Sequence, residues 1–380
     1  MTRTAGPKTL VEKIWDRHAI RELSDGRTLM HIDRHLLHDG TSRQAFDGLR
    51  RIGRPVRNRD LSFAVVDHIV STLPGRTGES HPPGIERIHA AKDLILYFMA
   101  RHGITAGTGC AVEYAGAAIR ALPVEARMTI CNMSIELGAR FGIVAPDDRT
   151  IEYIAGRPFA PRGELWDRAL AEWRNLYSDP DSRFEREFEI DCSRIAPQVT
   201  WGNTPQDTVA VDEALPDPAA AGDGERRKAL ERAYSYMDLA PGRTLEGVAI
   251  DYAFIGSCTN SRLSDLEAAA RVVRGRKVAK GVTALAVPGS MAVKAAAEAA
   301  GLHRIFMEAG FEWRNAGCSM CVGSNGDLVP PGKRSISTTN RNFEHRQGPH
   351  SRTHLASPAM VAAAAVTGRI TDVRRLLNES

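Results

Sequence analysis

Three cysteines carry the strongest chemical signal in this chain. Cys258 lies in GSCTNSR at Gly256–Arg262, and Cys318 and Cys321 form a C-x-x-C pair in AGCSMC at Ala316–Cys321. That spacing lets two thiolates reach neighbouring atoms of one metal centre from a single tight turn. Alone the pair is ambiguous, because a thioredoxin-like dithiol has the same spacing. Here, however, it falls late in the chain, and no fourth zinc-type ligand accompanies it. Cysteines that merely fill core space are a third reading, which fits a C-x-x-C beside glycines poorly. Cys258 follows the apolar run Ile250–Ile255, and α/β sheets place functional residues at the carboxyl ends of their strands. A convergence of three thiolates is therefore expected.

Other groups could serve the same centre. TNRNFEHR supplies Asn340, Arg341 and Arg346 soon after the C-x-x-C turn. A guanidinium fork binds a carboxylate bidentately and stays charged at every relevant pH. Any two arginines taken alone are more often ordinary surface residues. Asp67 and His68 follow the strand-like run Leu61–Val66. Such a couple can tune an imidazole to protonate a departing hydroxyl, or it can simply cap a turn. Asn132 and Glu136 stand four apart, so on a helix both project from one face; a single satisfied buried amide is the plainer reading.

The elements that must hold these groups read as α/β. Apolar runs Val248–Ile255, Val282–Val287 and Ser335–Thr338 alternate with amphipathic stretches Leu263–Val273 and Val293–Ala300, which predicts a mostly parallel sheet covered by helices. Thr9–Ile20, Ala90–Gly103 and Ala111–Leu122 read as helices, and Arg127–Glu136 as the start of another buried segment. LPGRTGESHPP at Leu73–Pro83 and the acidic stretch Asp207–Arg227 read as connectors. At 380 residues several domains are expected, divided as 1–89, 90–240 and 241–380, the last with the cysteines.

Composition narrows the function classes. Lys and Arg total 50 against 46 for Asp and Glu, which leaves no electrostatic footprint for nucleic acid or a membrane surface. No apolar run approaches a membrane span, and the first twenty residues carry charges every few positions, so a cytoplasmic protein is expected. Six cysteines in so long a chain are too few for a disulfide scaffold.

GSCTNSR, VPGS, EAGFEWR, GCSMC and TNRNFEHRQG closely resemble the large subunits of the isopropylmalate isomerase branch of the aconitase family. The likeness continues through IDRHLLHDGTSRQAFDGLR, VDHIVST, MTICNMSIELGA, QVTWGN and SPAMVAAAAVTG, and covers nearly the whole chain. The resemblance implies three α/β domain-like regions around a 4Fe–4S cluster held by Cys258, Cys318 and Cys321, with one iron left without a protein ligand. It implies substrate contacts from Arg341, Arg346 and His38, cluster contacts from Asn132 and Asn340, and catalytic roles for Asp67, His68 and Glu136. The implied reaction is the reversible dehydration and rehydration of a 2-hydroxy dicarboxylate, interconverting 2- and 3-isopropylmalate in leucine biosynthesis. One-chain relatives carry a fourth, swivelling domain with a catalytic serine and a further arginine. This sequence ends at Ser380 without one, so a separate small subunit is the expected partner.

The sequence also departs from the family. Between Thr72 and the ITAGTG turn at Ile104–Gly109 the family carries a longer stretch with a GDSHT motif, and no such motif occurs here. Glu79, Ser80 and His81 fall in a Gly- and Pro-rich segment with no strand before them, so they are no substitute. A truncated first domain with newly exposed apolar surface is expected. Two other functions stay open: a hydro-lyase of a specialised pathway acting on another hydroxy dicarboxylate, and a non-catalytic relative that keeps the cluster.

Overall fold

A computed structural model of the chain describes residues 6–56, 59–65, 91–323 and 326–377. Its contacts group the chain into two compact units, one formed by Met1–His68 with Ala145–Phe188, the other by Ile69–Val144 with Glu189–Ser380. These boundaries differ from the three consecutive regions read from composition, because the chain leaves the first unit and returns to it at Ala145. Composition shifts mark changes along the chain, and a return of this kind leaves none.

The second unit is built on five parallel strands: β1 (Tyr252–Ile255), β2 (Thr283–Ala286), β3 (Glu312–Trp313), β4 (Arg334–Ser337) and β5 (Arg352–Leu355), in the order β3-β2-β1-β4-β5. Ala253 of β1 pairs with Ala284 on one side and Ile336 on the other, so β1 and β4 are neighbours at the centre. Helix Pro358–Thr367 packs against β1 and against helix Leu263–Val273. The former helix is almost wholly buried and reads PAMVAAAAVT; its alanines let the backbones approach closely. Proline opens it, and Gly368, at φ +73°, ends it in the left-handed conformation glycine adopts without strain. A smaller core joins Ile95, Leu96 and Met99 of helix Ala91–His102 to Ile130 and Met133 of helix Val124–Met133.

Two expectations are corrected here. Ala111–Leu122 is not one helix: Ala111–Glu113 forms a strand parallel to Phe141–Ile143, and Gly116, at φ +99°, separates it from helix Ala117–Ala121. Nor is Asp207–Arg227 a surface connector throughout. Thr208–Ala210 pairs antiparallel with Gln198–Thr200, and Val209, Val211 and Leu215 are buried in the main core. The alternation of valines had signalled a half-buried strand beneath the acidic composition.

The first unit contains helix Leu10–His18, closed by a reciprocal capping box between Thr9 and Glu12, and a parallel pair His35–His38 and Ser62–Val65. Among its described residues Leu10 alone is a buried large apolar side chain, whereas Leu36 is 79% and Phe159 85% exposed. Among all described residues no helix is long and apolar enough to cross a membrane.

His354 of β5 is fully buried. Its Nδ1 donates to the Thr200 carbonyl at 2.6 Å, and its Nε2 accepts from the Arg334 guanidinium at 2.8 Å. Burial, and then the charge of Arg334, push its pKa down to about 3. An unfolded histidine titrates near 6.5, so between those values the unfolded chain holds a proton that the folded chain refuses. The stability His354 provides is complete above about pH 6.5 and is lost as pH falls toward 3. The gap in urea stability between wild type and His354→Gln should therefore be wider at about pH 7.5 than at about pH 5; equal gaps would contradict the assignment of a neutral imidazole.

Candidate functional site

The loop after β1 carries Cys258. Gly256 precedes it, and a Cβ there would collide with the ring of Phe254, so only glycine fits. The Gly256 N–H donates to Thr338 Oγ1 at 2.8 Å, and that hydroxyl donates to the Gly256 carbonyl at 2.7 Å. Thr338 closes β4, so the pair stitches together the carboxyl ends of the two central strands. Farther along, Thr259 Oγ1 donates to Asn132 Oδ1 at 3.1 Å, and Ser261 Oγ donates to the Val287 carbonyl at 2.7 Å. Each side of the loop is thereby anchored to a different element.

Cys318 precedes and Cys321 ends the 3-10 turn Ser319–Cys321, and the Cys321 N–H donates to the Cys318 carbonyl at 2.8 Å. Ser319 stands at φ +47° and Ser257 at φ +83°, and both are buried. Each adopts a conformation costing about 1–3 kcal/mol for a residue with a side chain, which survives only where the surroundings impose it. Both strained serines adjoin a cysteine of the set.

The thiols are graded in exposure: Cys258 is exposed, Cys318 half-buried and Cys321 buried. Burial pushes the Cys321 pKa up, the Arg346 guanidinium counters it by charge and hydrogen bonding, and the charge of Cys258 raises it further. The last two influences put Cys258 and Arg346 in the neighbourhood of Cys321. Arg346 Nε and Glu136 Oε2 are buried without a hydrogen-bond partner. Glu136 Oε1 accepts from Asn340 Nδ2 at 2.8 Å and from Arg341 Nε at 2.9 Å, and the rest of Arg341 is half exposed.

The expected residues are thus largely brought together within one unit: Cys258, Cys318, Cys321, Asn132, Glu136, Asn340, Arg341 and Arg346. Asn132 and Glu136 do not share a helix, since Asn132 lies on helix Val124–Met133 and Glu136 on the following 3-10 turn, Ser134–Leu137. His38 ends a strand of the first unit, and Asp67 and His68 lie outside the described residues. The cysteine set fits an iron–sulfur cluster, with soft ligands on two strained, well-anchored loops, a guanidinium at one thiol, and unpaired buried polar atoms close by. Among the described residues no three His, Cys, Asp or Glu side chains close on a single ion. A polynuclear cluster instead spreads its thiolates over several irons.

Sequence reasoning missed Lys92. It is fully buried at the start of helix Ala91–His102, and its Nζ donates to the carbonyls of Thr338, at 2.6 Å, and Thr339. Its one signal was a Lys–Asp pair opening the otherwise apolar run Leu94–Ala100.

Comparison with known proteins bears on the whole chain. The model of the aconitase family (aconitate hydratase) matches residues 12–78 and 84–368. The 3-isopropylmalate dehydratase large subunit 1 of Bradyrhizobium diazoefficiens is 45% identical over 463 residues, covering 97% of this chain and 97% of the relative. A span of 463 against 380 residues in this chain leaves at least 83 positions to the relative alone.

The fit at Gly256 is testable. Gly256→Ala should destabilise the second unit by about 1–3 kcal/mol, the usual cost of forcing a methyl group into a packed site, as read from urea denaturation; stability equal to wild type would show that Phe254 has room to move.

Proposed function

The chain belongs to the aconitase family, and from that premise we propose that it is the large subunit of a 3-isopropylmalate dehydratase. This hydro-lyase reaction interconverts 2- and 3-isopropylmalate through reversible loss and return of water, a step of leucine biosynthesis. The observation that carries the reading is 45% identity to a relative of that name across 97% of both chains. The relative's description as a large subunit supports a small-subunit partner, and the cytoplasm is the proposed location.

Cys258, Cys318 and Cys321 would hold a 4Fe–4S cluster, which when bound supplies an iron without a thiolate that polarises the substrate hydroxyl as a Lewis acid. The remaining roles belong to the chain's own groups. Arg341 and Arg346 bind the substrate carboxylates, a task suited to the half-exposed fork of the first and the unpaired Nε of the second. Glu136 holds Asn340 and Arg341 in place through one carboxylate oxygen. Its other oxygen, buried and unpaired, is available to a proton on substrate. Asn132 and Asn340 face the cluster, and His38 contacts substrate. His68, oriented by Asp67, gives a proton to the departing hydroxyl. The base comes from outside this chain, in the small subunit.

The positions that only the relative fills are proposed to include the GDSHT segment, lost between Thr72 and Ile104. The interruption of the family match between residues 78 and 84 supports that placement. Groups that anchor a dicarboxylate remain, whereas some of the groups that orient it and manage its protons are missing. Binding should therefore survive better than chemistry.

The test is anaerobic reconstitution of the chain with its small subunit, a spectroscopic titration with isopropylmalate, and an assay of isopropylmaleate hydration. Saturable binding with turnover orders of magnitude below roughly 1–10³ s⁻¹ is expected. Ordinary turnover would show the missing segment to be dispensable, and a loaded cluster that ignores isopropylmalate would contradict the substrate.

A further inference from the structure

Thr338 is the node of the cluster site. Its hydroxyl holds Gly256, two residues before Cys258, and its backbone leads through Thr339 to Asn340 and Arg341, the two groups gathered on Glu136. Both carbonyls of this turn, those of Thr338 and Thr339, accept from the ammonium of Lys92. Lys92 comes from a helix that supplies none of the expected site residues, and it is fully buried. Neither of these two acceptors is a carboxylate. An ammonium in such a place is costly unless its charge is used.

From this geometry we infer that Lys92 is a positioning residue and the buried cation of the cluster site: it holds the turn that carries Asn340 and Arg341, and its positive charge acts on the cluster from that turn. The inference rests on the proposed function, since it assumes that a cluster is bound. The charges around Lys92 agree with it. Burial pushes the lysine pKa down to about 7, opposed in turn by Asp265, Cys321, Asp93 and Glu136. One cluster cysteine and the carboxylate that anchors Arg341 thus lie within its electrostatic reach. A lysine needed only to satisfy two carbonyls would be replaceable by any donor that reaches them, whereas one that tunes an anionic cluster would not. A nearby positive charge favours the reduced, more negative cluster, so its removal must lower the reduction potential.

The experiment compares wild type with Lys92→Met, Lys92→Gln and Lys92→Arg in the anaerobically reconstituted chain. Iron content and circular dichroism serve as controls, and the one-electron reduction potential of the cluster is the readout. Both neutral variants should shift the equilibrium about tenfold toward the oxidised cluster, or about 59 mV, with Lys92→Arg restoring most of the wild-type value. A wild-type chain that takes up no cluster would defeat the proposed function and this inference together. A loaded wild type whose potential is matched by a folded neutral variant would overturn the inference alone. Failure of both neutral variants to fold would assign Lys92 to folding and overturn it as well.

Discussion

The site depends on one reciprocal contact, the pair of hydrogen bonds between Thr338 and Gly256 at the carboxyl ends of the central strands β1 and β4. In a parallel sheet, neighbouring strands end on the same side, so the loops that leave them emerge together. Here one loop leads to Cys258 and the other to Asn340, Arg341 and Arg346. Without the Thr338 hydroxyl, Gly256 would lose both partners in a buried place, and each unmade bond there costs about 1–3 kcal/mol. The cysteine loop and the arginine loop are thus held in register by one threonine hydroxyl and the Gly256 backbone, before any ligand contributes.

Much of this was legible in the sequence. The strand ends at Ile255 and Ala286 fall within one residue of the ends of the apolar runs that forecast them, because a strand buried on both faces writes itself as a continuous apolar segment; the strand ending at Ser337 is equally buried yet reads RSIS. The cysteines were legible because C-x-x-C and GSCTNSR tie residue type to spacing. Lys92 was not: a buried charge is recognised by what it touches, and its acceptors are carbonyls 246 and 247 residues away, which every sequence possesses. The division into two units was hidden for a similar reason, since the return of Ala145–Phe188 to the first unit is a tertiary fact without a local signature.

The two units carry different physical weight. In the second, the loops and turns that carry the site residues leave strands and helices backed by two apolar cores. In the first, Leu36 and Phe159 face solvent and Leu10 is the one large apolar side chain buried among the described residues. The relative's alignment holds at least 83 positions that this 380-residue chain does not share.

The central claim is that three cysteines on this framework leave one metal position open to substrate. Mössbauer spectroscopy of the anaerobically reconstituted protein, recorded with and without isopropylmalate, tests it most directly. The account predicts that one iron of the four changes its spectrum on addition of the dicarboxylate while the three thiolate-bound irons do not. Spectra in which every iron stays the same, or in which no cluster forms at all, would contradict it.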